Sequence, residues 1–160
     1  MVLIALVARQ SLDRRVNQLF IWYAFLLMLW SFGSFMIHAQ PPNIDPLFWN
    51  RFLVVCLMFV PVILFHFVRA FLGKPQPRVW LAPGYGVSAL FALLTILGYT
   101  VKSAYYVDER MYHELGIASV AILPMALAFT AAAISNLVQA YRKEKDPFAR
   151  NRIAYPPLIR

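Results

Sequence analysis

Charged residues are scarce in this chain, and their scarcity excludes an ordinary soluble domain. Only 14% of its 160 residues are charged and 61% are hydrophobic, against about 25% and 45–50% in average globular proteins. A soluble body of this size has too much surface to cover with so few polar side chains. The net charge of +8 comes from basic residues that lie between long apolar runs, which favours a membrane over nucleic acid as the partner. We therefore predict an integral membrane protein whose main partner is the lipid bilayer, with no nucleic-acid partner.

Cysteine and the usual catalytic motifs are almost missing. The single cysteine, Cys56, excludes an intrachain disulfide. Gly84 and Gly86 are not followed by the Lys-Ser/Thr pair of a phosphate-binding loop. No Ser-His-acid or Cys-His set can be assembled from the residues present. We therefore expect no enzymatic activity, no cofactor and no metal in this chain.

Four uncharged runs are long enough to cross a bilayer, which requires about 20 apolar residues. Backbone groups in hydrocarbon must be paired within their own segment, so each run is expected to be a helix. The predicted fold class is all-α, a polytopic membrane helix bundle with four complete transmembrane helices. The predicted spans are residues 19–39, 50–72, 79–101 and 115–141.

Both termini carry shorter apolar segments. Residues 1–8 are apolar but too short to span, and residues 153–160 read as the first turns of another membrane helix. We expect partial helices at both ends, in a chain that is cut at each end or whose start is incorrectly assigned. On this interpretation residues 1–160 form one transmembrane sensor-type module.

The distribution of lysine and arginine predicts the orientation. Twelve of the 15 lie in the segments 9–18, 69–78 and 142–160, which a serpentine chain places on one side of the membrane. Short loops rich in lysine and arginine stay in the cytoplasm. The protein is therefore predicted to be a multi-pass protein of the cytoplasmic membrane, with its basic loops inside the cell.

Within the predicted spans, a histidine and a proline are candidate functional residues. His66 is an ionisable residue in an apolar run, which makes it a functional candidate. The plainer interpretation is a polar anchor near the interfacial Arg69, and the sharper one is a switchable contact to another helix. Pro61, like Pro124, lies near mid-span and removes a helical hydrogen bond, so it is expected to kink its helix.

Small residues recur every four positions in the third span, at Gly84, Ser88 and Ala92. Small residues at this spacing let helix backbones approach closely in lipid. Close helix packing is the main expectation, and lining of a cavity is the alternative.

The stretch 100–114 is the most polar part of the predicted outer side. A solvated loop with aromatic anchors is the simplest interpretation. The alternative is a divalent-cation site, although the spacing matches no strong metal signature; Glu109 and His113 would share a face if the loop continued as helix. The residues of that alternative are Asp108, Glu109, His113 and Glu114.

The aromatic and proline pattern resembles a known signalling module. An arginine-rich turn and Asn17 precede a helix with Trp30, and a polar loop leads to Phe48-Trp49. The next helix contains Pro61, and it closes with the triplets Phe65-His66-Phe67 and Phe71-Leu72-Gly73. This order is similar to the N-terminal seven-helix membrane region of bacterial sensor histidine kinases, a module also found ahead of diguanylate cyclases and other signalling outputs.

The end of the chain fits the same resemblance. The segment Tyr141–Tyr155 resembles the short inner connection that leads into the sixth helix of that module, through Asp146-Pro147, Arg150, Arg152 and Tyr155. The resemblance implies a sensory input region whose output domain is attached after the last helix. The chain departs from the pattern, because these 160 residues contain no phosphoacceptor histidine segment and no ATP-binding domain. Any kinase activity is therefore expected to lie outside them.

We infer a membrane-embedded sensory input module as the leading function. Its expected partners are an output domain or signalling protein on the cytoplasmic side, and a homodimer is one assembly consistent with such a module. The candidate sensing residues are Trp30, Pro61, His66, Glu109 and His113. The alternative function is a small multi-pass transporter or channel component. No predicted span contains an acidic residue, and proton or cation pathways usually do, which counts against this alternative.

Overall fold

The computed structural model describes residues 14–40, 45–108 and 110–144. Over these residues the chain forms four helices that are long and apolar enough to cross a membrane. A two-stranded antiparallel sheet lies between the third and fourth helices. The elements in chain order are α1 (Arg14–Ala39), α2 (Pro46–Phe71), α3 (Arg78–Ile96), β1 (Val101–Val107), β2 (Arg110–Leu115) and α4 (Ser119–Lys143).

Helix α2 is the central element, since it packs against α1, α3, α4 and β1. It begins after Asp45, whose side chain accepts a 2.8 Å hydrogen bond from the backbone N–H of Leu47 and so caps the helix. Trp49, on its first turns, is 8% exposed, and its ring lies 5.8 Å from that of Phe32 on α1. The aromatic residues after the cap therefore join α2 to α1.

Helices α1 and α4 expose most of their apolar side chains. In α4 the buried residue among those described is Ala133, while Leu123 and Leu127 are mostly open. In α1, Trp22 and Phe35 are similarly exposed. Large apolar surfaces of this extent are stable in lipid but not in water, so the structure supports a membrane environment.

Helix α3 meets α2 through small residues. Gly84, Ser88 and Ala92 are all buried, and Thr95 continues the same helical face. The hydroxyl of Ser88 donates a 3.0 Å hydrogen bond to the backbone carbonyl of Met58 on α2. The prediction that these small residues serve close helix packing is confirmed.

The strands β1 and β2, called here the hairpin, stand where the sequence analysis expected a solvated loop. Strands β1 and β2 pair in register from Ser103↔Glu114 to Val107↔Arg110. Tyrosine, valine and methionine on both sides of the turn favour strand structure. The third predicted span therefore ends too late, at residue 101 instead of Ile96, and the fourth begins too early, at residue 115 instead of Ser119.

The end of α3 has a local cause. Gly98 has a φ of +88°, a conformation that L residues other than glycine rarely adopt. The backbone N–H of Tyr99 bonds to Leu94 O at 2.9 Å and that of Gly98 to Thr95 O at 3.1 Å. These two bonds form a Schellman motif, which terminates the helix and turns the chain toward β1.

The predicted fold class is confirmed, because the described residues form a bundle of four membrane-length helices. The structural helices extend the first two predicted spans toward their N-termini, to Arg14 and Pro46. The predicted partial helices at 1–8 and 153–160 lie outside the described residues, as does Glu109.

Candidate functional site

The hairpin, the last turn of α1 and the first turns of α2 enclose a cavity of about 470 Å³, called here the hairpin cavity. His113 on β2, a residue predicted from the sequence, lines it. The hairpin also contributes Tyr106, Arg110 and Met111. The helical side supplies Ile37, His38, Gln40 and Asn50.

Two side-chain hydrogen bonds organise this cavity. The hydroxyl of Tyr106 donates to the backbone carbonyl of Ile37, and this bond holds β1 against the last turn of α1. Partial burial of the Tyr106 phenol raises its pKa above the usual value, so it stays a neutral donor at physiological pH. The Nδ1 of His38 lies 2.8 Å from the carbonyl of Ser34, to which it donates.

His38 and Arg110 are residues that sequence reasoning missed. Neither is among the candidate sensing residues predicted from the sequence. No local motif joins them, because the cavity brings together α1, α2 and β2, which are far apart in the sequence. One sequence signal for the cavity was available. Tyr106, Met111 and His113 alternate with their neighbours in two strands, and this places all three on one face of a hairpin.

The divalent-cation alternative gains no support from the described residues. Among them, no three histidine, cysteine or acidic side chains lie close enough together to hold a metal ion. His113 and Glu114 are successive residues of β2 and so point to opposite faces of the hairpin. Asp108 lies at its turn, with a φ of +48°.

His66 contacts a neighbouring helix, and whether this contact is switchable stays a prediction. Its Nδ1 lies 3.0 Å from the hydroxyl oxygen of Tyr85 on α3, and the two rings meet edge to face with centroids 6.0 Å apart. Its Nε2 is buried and has no hydrogen-bond partner among the described residues. An unpaired polar atom of this kind is costly in a membrane interior, so a rearrangement that pairs it would be favoured.

Pro61 is buried in α2, close to where α3 and α4 meet it. Proline leaves a carbonyl of the preceding turn without its helical partner, and the Ser88–Met58 hydrogen bond adds a donor from α3 in that turn. A Cβ on Gly84 would lie 2.6 Å from Cζ of Phe129 on α4 and 3.3 Å from Cγ1 of Val62 on α2. Residues of α2, α3 and α4 therefore meet at Gly84, beside Val62, which follows the proline.

Trp30 lies away from the hairpin cavity and from the helix contacts of His66 and Pro61. It lies on α1 with 40% of its surface exposed. Within the described chain it lines neither the hairpin cavity nor the groove at the other end of the bundle. The structure therefore brings His113 into a cavity and His66 and Pro61 into helix contacts, and it leaves Trp30 on the lipid-facing surface.

The opposite end of the bundle has an apolar groove of about 460 Å³ between α3 and α4, called here the basic-end groove. Phe65, Trp80 and Phe129 form its walls, and Arg69 lies at its edge. The guanidinium of Arg69 donates to the carbonyl of Pro75 and lies 5.8 Å from the centre of the Phe65 ring. Nearby, Nζ of Lys74 donates a 2.8 Å hydrogen bond to Oδ1 of Asn136 on α4.

Comparison with known proteins identifies the family. No curated protein and no solved structure matches the chain. A family model, described as the N-terminal 7TM region of histidine kinase, matches residues 1–155. A match of this length covers all four membrane helices and the hairpin. The chain therefore belongs to the family of N-terminal seven-helix membrane regions of histidine kinases.

Proposed function

We propose that this chain is the sensory input module of a bacterial signal-transduction protein of the histidine kinase type. The family match over residues 1–155 carries the proposal. The module lies in the cytoplasmic membrane with its basic connections inside the cell. Kinase or other output activity belongs to a domain or partner outside these 160 residues, and a homodimer is one assembly consistent with such a module.

The proposed signal runs along α2. This helix contacts the hairpin at one end and carries His66 and Arg69 near the other. A stimulus acts only if it binds or stabilises one helix arrangement better than another. Pro61 and the His66–Tyr85 contact are the points at which the packing of α2 against α3 would differ between the two arrangements.

The five sensing candidates divide by their location in this scheme. His113 is proposed to meet the stimulus, and Pro61 and His66 to change helix packing. Trp30 is proposed to report on the surrounding lipid or on a neighbouring copy. Glu109 remains a proposed sensing residue, and it lies outside the described residues.

A fusion protein tests this proposal. The full chain is joined through its C-terminus to a kinase catalytic core that has no input domain, and autophosphorylation is measured in vesicles. Pro61→Ala restores a helical hydrogen bond and His66→Phe removes the contact to Tyr85. Each is expected to change the rate by about 2- to 30-fold, the range of a coupling of about 0.5–2 kcal/mol.

Leu127→Ala is the matched control, since Leu127 is a mostly exposed α4 residue. It should leave the rate unchanged. The proposal fails if every variant has the rate of the same core on an unrelated membrane anchor. Solute or ion flux into vesicles that carry the purified chain, above that of protein-free vesicles, would favour the transporter or channel function instead.

A further inference from the structure

We propose that the hairpin cavity binds a small hydroxy acid or amino acid, and that this ligand is the stimulus of the module. The assignment of the stimulus depends on the proposed function, whereas binding itself can be measured without it.

The size and lining of the cavity suit a small polar molecule. Its volume of about 470 Å³ falls within the range of about 300–1,000 Å³ that is usual for small-molecule sites. Ile37 and Met111 are its apolar lining residues, and the rest of the lining is polar. A lipid chain would leave the Arg110 guanidinium without a partner, which disfavours an apolar ligand.

The charge of the lining favours an anion. Arg110 is the permanently charged residue of the described lining, and no described carboxylate lines the cavity. Its guanidinium makes no hydrogen bond or ion pair to any described residue. The contrast is Arg51, whose guanidinium is already bonded to the carbonyl of Val101 at 3.1 Å. An arginine fork matches a carboxylate in a bidentate geometry, so the exposed side chain of Arg110 is the proposed anchor for the acid group.

His38 adds a second requirement. Because its Nδ1 donates to Ser34 O, the neutral ring has its lone pair on Nε2 and can accept a hydrogen bond there. A ligand that fits must therefore donate a hydrogen bond as well as carry a carboxylate. Hydroxy acids and amino acids have both groups within a few ångströms of each other.

Such a ligand would join elements that the signal must couple. Arg110 belongs to the hairpin, Asn50 to α2 and His38 to the last turn of α1. The Tyr106–Ile37 hydrogen bond already holds β1 to α1. Binding across the cavity would add a contact from the hairpin to α2, the helix that reaches the other end of the bundle.

A binding experiment on the full chain in lipid nanodiscs tests the site. The probes are the twenty amino acids together with lactate, malate and citrate, and propionate and ethanolamine serve as probes that lack one of the two groups. At least one acid of the set is expected to bind by calorimetry, and propionate and ethanolamine at least tenfold more weakly. Arg110→Gln should weaken binding of that acid by about tenfold or more, and Arg110→Lys by less, because lysine keeps the charge but loses the fork.

Lys102→Gln is the matched control. Lys102 is an exposed cation on the same hairpin that does not line the cavity, so its removal should leave the affinity unchanged. The far-UV circular dichroism spectrum of each variant verifies that it is folded. The site assignment is wrong if no acid of the set binds, if Arg110→Gln binds as the wild type does, or if Lys102→Gln weakens binding equally. If binding fails while the fusion kinase still responds to Pro61→Ala, only the ligand site is disproved.

Discussion

The two ends of the bundle differ in both structure and charge. At the hairpin end, two strands cover the helix ends, and Arg51 and Tyr106 donate to backbone carbonyls of neighbouring elements. At the basic end, short connections carry cations, and the link across helices runs between two side chains, those of Lys74 and Asn136. Backbone carbonyls have fixed positions, whereas long side chains do not. The hairpin end is therefore expected to hold a more defined shape than the basic end.

The charges of the described side chains follow the same division. The basic end has six cations and one acid: Arg15, Arg69, Lys74, Arg78, Arg142, Lys143 and Glu144. The hairpin end has three of each: Arg51, Lys102, Arg110, Asp45, Asp108 and Glu114. Since positive charge in short loops stays in the cytoplasm, the comparison predicts which end is outside.

Cysteine labelling tests most directly which end of the bundle lies outside the cell, because each position is expected to be either labelled or not. In a Cys56→Ser background, Val107→Cys places a thiol on the hairpin and Pro75→Cys places one in the α2–α3 connection, at exposed positions. A membrane-impermeant maleimide should label the first in intact cells and the second only after lysis. The wild type is the control and should stay unlabelled, since Cys56 is 4% exposed. The reverse pattern would place the hairpin in the cytoplasm.

Removal of the Arg51 guanidinium should give the largest loss of stability. Arg51 contacts both Ile96 O and Val101 O, so Arg51→Met leaves two carbonyls without a donor. Hydrogen bonds from charged groups contribute about 1.5–3 kcal/mol each, and we expect the free energy of unfolding to fall by about 2–3 kcal/mol. The measurement is an SDS titration of the detergent-solubilised protein followed by circular dichroism. Arg51→Lys should lose less, and a loss below about 0.5 kcal/mol in Arg51→Met would contradict the role of this residue.

Lys74→Met, measured in the same way, should have the smallest effect. Lys74 and Asn136 form a partly exposed contact between two flexible side chains, which contributes about 0.5–1 kcal/mol. Lys143→Met is the control, since the exposed Lys143 makes no hydrogen bond to a described residue, and it should leave stability unchanged. If Lys74→Met cost as much as Arg51→Met, the two ends would be equally rigid and the comparison would fail.

The sequence predicted the helices well because their signal is local. An uncharged run of about 20 residues has one stable structure in lipid, and residues such as Gly84 and Ser88 show by their spacing which face of α3 packs. The ends of α3 and α4 were misplaced because hydrophobicity alone does not separate a helix from a strand. Gly98, with tyrosine in both strands and valine in β1, was the local signal for the hairpin.

The candidate site was predictable only in part. His66 and Pro61 could be selected because a polar or helix-breaking residue in a membrane span is unusual. The partner of His66, Tyr85, could not be predicted, because the two residues are 19 positions apart and no sequence pattern relates them. The hairpin cavity depends on the fold of three elements, so His113 was selected for a cation site, whereas the structure places it beside His38 and Arg110.

The register of the hairpin limits where its length can change. Alternate residues of a strand face opposite sides, so one inserted residue within β1 would turn Tyr106 away and bring Tyr105 to the helices instead. Tyr105 now stacks on Tyr112 on the open side of the sheet, with ring centres 6.1 Å apart. An insertion beside Asp108, in contrast, would lengthen the turn and leave both strands in place. Natural variation in the length of this segment should therefore accumulate at the turn and spare the strands.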